Sequence, residues 1–209
     1  MPPDTGRLGY DYFPLETGDI RTYQVQVINY SPNGSIDTVN YRLKEIVSES
    51  SIIADETSFR IDRYRRDIEA NPWVIDSVWW ARINTYQAIV IEHNVPIIKL
   101  SFPVEEDRRW DGNAMNARDF DEFKMLNVGL TYQVDSKDYP NSLEMFMEDL
   151  IDPIQITKDD YHLEVYSKGF GLTYKLDIDK KYCSPVDCSE PKIIEGRVYE
   201  QKLLELGKI

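Results

Sequence analysis

Short stretches of alternating apolar and polar residues recur along this chain and limit what it can fold into. In the segment RTYQVQVIN, the side chains of Tyr23, Val25 and Val27 would share one face of an extended strand, with polar residues on the other. The segment TVNYRLK repeats the pattern. Between the two lies NYSPNGSID, whose Pro, Asn and Gly residues suit a turn, so the region is predicted to form a β-hairpin.

The alternation is longest in GFGLTYKLDI, near the end of the chain. One set of its side chains is apolar and is predicted to be buried: Phe170, Leu172, Tyr174, Leu176 and Ile178. The other set is predicted to be exposed: Thr173, Lys175 and Asp177. One buried face and one solvated face are typical of an antiparallel sheet.

Six further segments have strand character: residues 58–65, 73–84, 86–92, 96–102, 128–135 and 161–167. Turn residues separate them at short intervals, and no long βαβ pattern intervenes. We therefore predict a mainly β protein with little helix, in which residues 1–11 are a flexible leader and residues 12–209 form a single antiparallel β domain.

Two segments have an ambiguous local pattern. Residues 141–150, NSLEMFMEDL, place apolar side chains at helical spacing, but Leu143, Met145 and Met147 also alternate. Residues 198–206 contain good helix formers and precede Gly207, which could follow a helix, yet they also continue a strand-like approach. Composition alone leaves both segments open between helix and strand.

The charge of the chain excludes one class of partner. Lys and Arg number 24 against 37 Asp and Glu, which gives a net charge of −13, whereas binding to nucleic acid or to anionic lipid needs a basic surface. The longest wholly apolar run, Ala88 to Ile91, is far too short to span a bilayer. No signal peptide is recognisable, so the protein is either cytosolic or has lost a targeting segment.

The two cysteines, Cys183 and Cys188, lie in the segment YCSPVDC. Four intervening residues and the lack of a βαβ context argue against a thioredoxin-like pair, and two cysteines with two distant histidines make a poor zinc site. Two separate buried thiols are an alternative. A disulfide that closes this short loop fits best; it would contribute roughly 2 kcal/mol and would favour an oxidising compartment.

The segment RRWDGNAMNARDFDEF is the densest polar cluster. Its oxygen-bearing side chains could bind calcium, but the spacing is not that of an EF-hand. Asp and Asn side chains that bond back to the backbone, with a Gly that permits positive φ, favour a structural turn without metal. The residues assigned to this turn are Asp111, Gly112, Asn113 and Asn116.

The tryptophans Trp73, Trp79, Trp80 and Trp110 are candidate binding residues, although tryptophans more often belong to a core or a sheet face. If Trp79 and Trp80 lie in one strand, they must point to opposite faces. One indole would then lie on the less buried side, which suggests a second packed surface, a ligand cavity or a partner.

Catalytic motifs are absent from the sequence, which contains no nucleophile elbow, no Walker loop and no His-Glu-x-x-His zinc motif. His93 and His162 look like strand-end residues. Paired carboxylates are too frequent in so acidic a chain to indicate a glycoside hydrolase. We therefore predict no enzymatic activity, no catalytic residue, no metal and no cofactor.

Three segments together resemble an uncharacterised family of bacterial secreted proteins and cell-surface lipoproteins: YFPLETGDIRTYQVQV, RRWDGNAMN and VYSKGFGLTYKLDI. The resemblance covers about residues 12–207. It implies export, with a lipid-bearing cysteine and signal segment missing from this chain, and it implies that both ambiguous segments are strands. It carries no reaction and no established catalytic residue. By fold-level analogy, the sheet is similar to the half-barrel lipid carriers of the bacterial envelope, which implies strong curvature into a half-barrel or barrel-like domain.

These observations predict an exported, lipid-anchored, non-enzymatic binding or interaction module of the bacterial cell surface, touching the membrane only through the removed anchor. Its partner would be a protein, a glycan or an apolar small molecule, and nucleic acid is excluded. One alternative is a carrier that holds an apolar ligand or lipid on the concave side of the sheet, lined in part by Trp79 or Trp80. Another is a hydrolase acting on envelope glycans.

Overall fold

The alternating segments form the strands of one antiparallel sheet in the computed structural model of this protein, which describes residues 5–53, 56–147, 158–183, 188 and 192–209. Helix is limited among these residues to α1 (Thr5–Leu8) and a 3₁₀ turn (Tyr10–Tyr12). The strands are β1 (Asp19–Tyr30), β2 (Ile36–Ile53), β3 (Glu56–Arg66), β4 (Val74–Ile83), β5 (Gln87–Glu92), β6 (Val95–Ser101), β7 (Arg109–Asp111), β8 (Glu122–Val134), β9 (Lys137–Met147), β10 (Lys158–Ser167), β11 (Gly171–Tyr182) and β12 (Ile193–Lys208).

The sheet consists of two meanders joined side by side. The spatial order is β6-β5-β4-β3-β2-β1-β12-β11-β10-β9-β8-β7, so the first and last strands of the chain are neighbours in the middle. Tyr23 of β1 lies opposite Leu43 on one side and Leu203 on the other. Because β1 is hydrogen-bonded on both sides, the two halves of the chain form one continuous sheet.

The two edges of the sheet approach each other, which nearly closes it into a barrel. The Ile98 N–H of β6 donates to the Gly112 carbonyl at 3.0 Å, and the Trp110 indole N–H of β7 donates to the Ile98 carbonyl at 2.9 Å. Register shifts at Thr22/Tyr23, Arg63/Tyr64 and elsewhere help the strands to bend. The predicted fold class, a strongly curved antiparallel sheet with almost no helix, is confirmed.

The N-terminal segment covers one end of this barrel, which we name the closed end. The Asp11 carbonyl accepts a hydrogen bond from the Gly169 N–H in the β10–β11 turn, and the Leu8 carbonyl accepts one from the Val104 N–H after β6. Tyr12 is 2% exposed. The residues from Leu8 to Tyr12 thus contact the turns at the closed end.

The main core lies next to this segment, and its apolar side chains come from both meanders. Its members with almost no exposed surface are Tyr12, Ala88, Leu100, Phe102, Phe123, Met125, Leu143, Met145 and Tyr166. The opposite end, which we name the open end, carries the turns β1–β2, β3–β4 and β5–β6 and the connection from β7 to β8.

Both segments with an ambiguous pattern are strands, as the family resemblance implies. Strand β9 includes residues 141–147, and β12 includes residues 198–206; residues 148–150 lie outside the described part of the chain. Cross-strand pairing to β10 and β11 explains why local helical spacing did not prevail. No helix among the described residues is long and apolar enough to cross a membrane.

The predicted burial pattern of β11 is correct at Leu172, which packs against the main core, but wrong further along the strand. Thr173 is 0% exposed, and Lys175 and Asp177 line an internal cavity, whereas Leu176 and Ile178 are only half-buried on the other face. The sequence of β11 alone does not reveal which residues of other strands will lie next to its charged side chains and neutralise them. With those partners present, the charged set can face inwards.

Thr173 gives a direct test of this corrected face. Its hydroxyl donates to the Val165 carbonyl at 3.1 Å and contacts the Ser167 hydroxyl at 3.0 Å. Thr173→Val should lower the free energy of unfolding by about 1–3 kcal/mol, because it removes a buried donor from the Val165 carbonyl and one of the two partners of the Ser167 hydroxyl. Thr38→Val, at an exposed strand position, should change it by less than about 0.5 kcal/mol. Urea denaturation measures both, and equal small effects would contradict the burial of the Thr173 hydroxyl.

Candidate functional site

A cavity of about 430 Å³ occupies the interior of the barrel. At the closed end its lining includes Phe13, Leu15 and Arg21, which are buried or half-buried. At the open end the lining includes exposed side chains, among them Asp76, His93 and Arg197. The cavity is therefore closed at its base by the N-terminal segment, and its mouth lies at the open end.

An ion network crosses the interior in the middle of the cavity. The Lys99 ammonium lies 2.9 Å from a Glu164 carboxylate oxygen and 3.0 Å from Glu92. The Lys175 ammonium lies 2.9 Å from the same Glu164 oxygen and 3.3 Å from Asp177. The Tyr166 hydroxyl donates to the other Glu164 oxygen at 2.5 Å. Since Lys99 is on β6 and Glu164 on β10, this network joins two walls of the barrel.

Strand geometry explains how the network assembles. Residues 160, 162, 164 and 166 alternate along β10 and so share its inner face, and Lys175 lies opposite Glu164 in the register of β10 and β11. Glu164 is 1% exposed and Lys99 5% exposed. Charges at this depth are tolerated only when paired and hydrogen-bonded, a condition that each member of the network meets.

The network shifts the proton affinities of its members. Burial by itself would raise the pKa of Glu164, but the Lys175 and Lys99 ammonium groups hold it well below its usual range. Burial would lower the pKa of Lys175, whereas the Glu164 and Asp177 carboxylates raise it above its usual value. Burial and the Glu164 carboxylate raise the pKa of Tyr166. At neutral pH the two lysines and Glu164 are therefore charged and Tyr166 is neutral.

A second cluster surrounds Arg63 on the opposite wall. Its guanidinium donates to Glu45 at 3.0 Å and lies 3.6 Å from the centre of the Trp79 ring, a cation–π geometry. Trp79 also contacts the His93 ring edge-on at 6.2 Å. The Tyr23 hydroxyl and the Trp79 indole N–H are buried and make no hydrogen bond of normal geometry within the described residues. This wall therefore combines an ion pair with aromatic surface.

Two arginines and two tyrosines form the rim of the mouth. The Arg65 guanidinium lies 4.0 Å from the centre of the Tyr41 ring, and that of Arg197 lies 5.4 Å from the centre of the Tyr199 ring. Burial raises the pKa of Tyr41, while Arg65 and a hydrogen bond with Tyr199 act against the rise. The two tyrosines are thus neighbours. Aromatic faces and guanidinium groups together enclose the entrance.

His162 extends the ion network towards the mouth. Its two ring nitrogens contact Asp177 at 3.1 Å and Asp160 at 2.7 Å. The hydrogen bond to Asp177 raises the pKa of His162 above 6.5, although partial burial opposes the rise. A protonated ring would donate a hydrogen bond from each nitrogen to one of these two carboxylates.

His162 should therefore make stability depend on pH. A raised folded pKa adds stability that is fully present below the unfolded pKa of about 6.5 and is lost as pH rises through the folded value. His162→Gln should cost roughly 1 kcal/mol at low pH and progressively less at alkaline pH, since two partly exposed ion pairs are lost. Urea denaturation from about pH 5 to 9 measures this, with His93→Gln as the exposed control. A difference that grows with pH would contradict the assignment.

The four candidate tryptophans have different surroundings. Trp79 lines the cavity, while Trp80, its neighbour in β4, does not. Trp73 stacks with the Lys44 ammonium and the Arg66 guanidinium, each 4.4 Å from its ring centre. Trp110 packs against Phe123 at the seam between the sheet edges. Trp79 is thus the only one of the four in the lining.

The polar cluster between β7 and β8 forms a turn at the open end. Asp111 Oδ1 accepts hydrogen bonds from the Asn113 and Asp121 backbone N–H groups, and the Asn116 amide donates to Asn113 and to the Pro96 carbonyl. Gly112 does not adopt a positive φ, so the expected reason for its presence is wrong. An added Cβ there would lie 2.4 Å from the Phe123 ring, so close packing requires the glycine.

Cys183 and Cys188 form a disulfide, with Cα atoms 6.0 Å apart. It follows β11, and the Cys183 N–H donates to the Lys192 carbonyl just before β12. The disulfide therefore lies at the open end of the barrel, the end that also carries the cavity mouth.

Sequence reasoning missed most of the cavity lining. Lys99 and Glu164 were not singled out, and Lys175 was predicted to be exposed to solvent. One usable signal exists in DDYHLEV, where Asp160, His162 and Glu164 occupy three consecutive positions of one strand face. A strand face with three ionisable side chains either is exposed to solvent or lines a charged interior.

Comparisons with known proteins found resemblance in fold. No protein-family model matches the sequence, and no curated protein matches it. Two crystal structures are similar: a "putative exported protein with YmcC-like fold" from Bacteroides fragilis NCTC 9343, and a "putative lipoprotein" from Parabacteroides distasonis ATCC 8503. Each is 10% identical, with a TM-score of 0.44, over 94% of this chain and 98% of the other. At this identity and TM-score, the likeness extends to neither activity nor location.

Proposed function

We propose that this protein is an exported, non-enzymatic binding protein of the bacterial envelope that holds a small molecule in its barrel cavity. The observation that carries the proposal is the cavity of about 430 Å³ between two walls joined by buried ion pairs. Its volume falls within the range of about 300–1,000 Å³ that is typical of small-molecule sites. Walls held by the Lys99–Glu164 pair favour binding, since a preorganised site loses little conformational entropy.

The lining suits a ligand that carries polar groups better than it suits a bare hydrocarbon chain. Leu43, Ile61 and Val90 offer apolar surface, but the Arg63–Glu45 pair and the ion network occupy much of the same space. A hydrocarbon tail would leave those charged groups without polar contacts from the ligand. This favours a compact amphipathic ligand over the lipid tail considered from the sequence.

The state of the ionisable groups supports binding without chemistry. A general acid or base works best with a pKa near the working pH, but paired partners move the pKa of Glu164 down and that of Lys175 up. Both groups then keep their charge throughout the physiological range. The disulfide and the family resemblance support export, because disulfides persist in oxidising compartments.

Native mass spectrometry of the protein purified from a bacterial envelope tests this proposal. A retained molecule should appear as a discrete mass increment that is lost on denaturation. Leu172→Trp, which places an indole in the cavity, should remove it. Leu176→Trp, on the outer face of the same strand, should retain it. Unliganded protein from every source, or equal retention by both variants, would refute binding in the cavity.

A further inference from the structure

The ratio of cationic to anionic side chains is higher in the cavity lining than in the whole protein. The lining contains six cationic side chains: Arg21, Arg63, Arg65, Lys99, Lys175 and Arg197. It contains five carboxylates: Glu45, Asp76, Glu92, Glu164 and Asp177. The cavity therefore has a net charge of +1, with His93 neutral, inside a chain whose net charge is −13. Which of these cations could bind an anion depends on the partners that each has within the protein.

Most of these cations are neutralised within the protein. Lys99 and Lys175 share the carboxylates of the ion network, and Arg63 is paired with Glu45. Arg65 donates to Asp67 at 2.6 Å, outside the cavity lining. These four side chains position one another and leave little free charge for a ligand.

Arg197 is different. It is exposed, it stacks on the Tyr199 ring, and no carboxylate of the described residues lies within 4.0 Å of its guanidinium. Arg21 also lacks a close carboxylate, since Asp19 is 4.0 Å away, but backbone carbonyls of Pro14 and Phe170 already accept its hydrogen bonds at the base. Arg197 is therefore the cation at the mouth with hydrogen-bonding capacity to spare.

We propose that the cavity recognises a compact monocarboxylate, whose carboxylate binds Arg197 and whose ring-sized body lies against Tyr199 and Tyr41. This inference rests on the proposed function and adds the chemical class of the ligand. Guanidinium and carboxylate match in a planar, bidentate geometry, and tyrosine faces stack on flat or cyclic groups. The negative charge of the ligand would pair with the guanidinium of Arg197, which stands at the mouth of the cavity.

The charges at the mouth also disfavour cationic and dianionic ligands. A cation would be repelled by the guanidinium of Arg197 at the mouth, which is unfavourable. A dianion such as a phosphate monoester would leave a net negative charge next to Asp76 and Asp177. Aromatic rings and sugar rings both pack on tyrosine, so a ligand body of either kind fits this surface.

Isothermal titration calorimetry with two pairs of probes tests the proposal. Benzoate is compared with benzamide, and glucuronate with glucose, so that each pair differs mainly in the carboxylate charge. At least one carboxylate should bind at least 10-fold more tightly than its neutral counterpart. Arg197→Gln should weaken that binding at least 10-fold, and Arg118→Gln, at an exposed position of the same end outside the lining, should leave it unchanged.

Each outcome separates this inference from the proposed function. Equal binding of charged and neutral probes, or no effect of Arg197→Gln, overturns carboxylate recognition but leaves a binding cavity. If none of the four probes binds, the test is the charge of the molecule retained in native mass spectrometry. A neutral or cationic molecule overturns the inference. If no molecule is retained either, both the inference and the proposed function fail.

Discussion

Glu164→Gln should lower the free energy of unfolding by about 3–5 kcal/mol. The substitution keeps the shape of the side chain but removes the charge that neutralises Lys99 and Lys175 in the interior. Both ammonium groups would then remain buried with Glu92 and Asp177 as their only carboxylate partners among the described residues. Removal of one partner from a buried ion pair typically has this cost, because the remaining charge stays desolvated.

Urea denaturation of the variant and of a matched control measures the effect. Glu195→Gln removes the carboxylate of an exposed pair with Lys181 and should change stability by less than about 1 kcal/mol. The combined replacement of Lys99 by Met, Glu92 by Leu, Glu164 by Leu and Lys175 by Met should be much less destabilising than Glu164→Gln alone. It removes both lysines together with the carboxylates that Lys99 neutralises, and Asp177 keeps its contact with His162. If Glu164→Gln and Glu195→Gln have the same small effect, the network does not join the walls as described.

Phe123→Ala should have a similar cost, about 3–5 kcal/mol. Phe123 is 2% exposed, packs edge-on against Trp110 at 5.9 Å and fills the space above Gly112. Its removal would leave a cavity at the seam between β6 and β7, where few hydrogen bonds hold the sheet edges together. Phe120→Ala, three residues earlier and 71% exposed, should cost less than about 0.5 kcal/mol.

Gly112 offers an independent check on the same contact. Gly112→Ala should be destabilising by itself, by about 1–3 kcal/mol, because the added methyl would overlap the Phe123 ring. In Phe123→Leu protein, the smaller side chain leaves room, so the cost of Gly112→Ala should fall. A double-mutant cycle with no coupling between the two positions would show that the ring does not require the glycine.

The strand content could be predicted because period-two alternation is a local property. RTYQVQVIN became β1, TVNYRLK became part of β2, and residues 161–167 became most of β10. The short strand β7 was missed because three residues are too few to show a period. The pairing of β1 with β12 was also beyond local patterns, since it joins residues that are far apart in sequence.

The candidate site was only partly predictable. The rule that adjacent strand residues face opposite sides led to Trp79 or Trp80, and Trp79 lines the cavity. The same rule failed at Lys175, where charge was taken as a mark of solvent exposure. What places a charged side chain inside is its partner on another strand, and Glu164 and Lys99 come to Lys175 only when the barrel closes.

The first described residues, from Thr5, and the last residue, Ile209, both lie at the closed end, which bears on how the protein can be attached to a surface. The N-terminal segment packs against turns there, and the Ile209 N–H donates to the Gly18 carbonyl at 2.9 Å. A tag, linker or anchor joined to either terminus would therefore point away from Arg197 and the rest of the mouth. A tethered molecule would present its entrance to the surrounding solution, so ligands would arrive from the aqueous side rather than from the supporting surface.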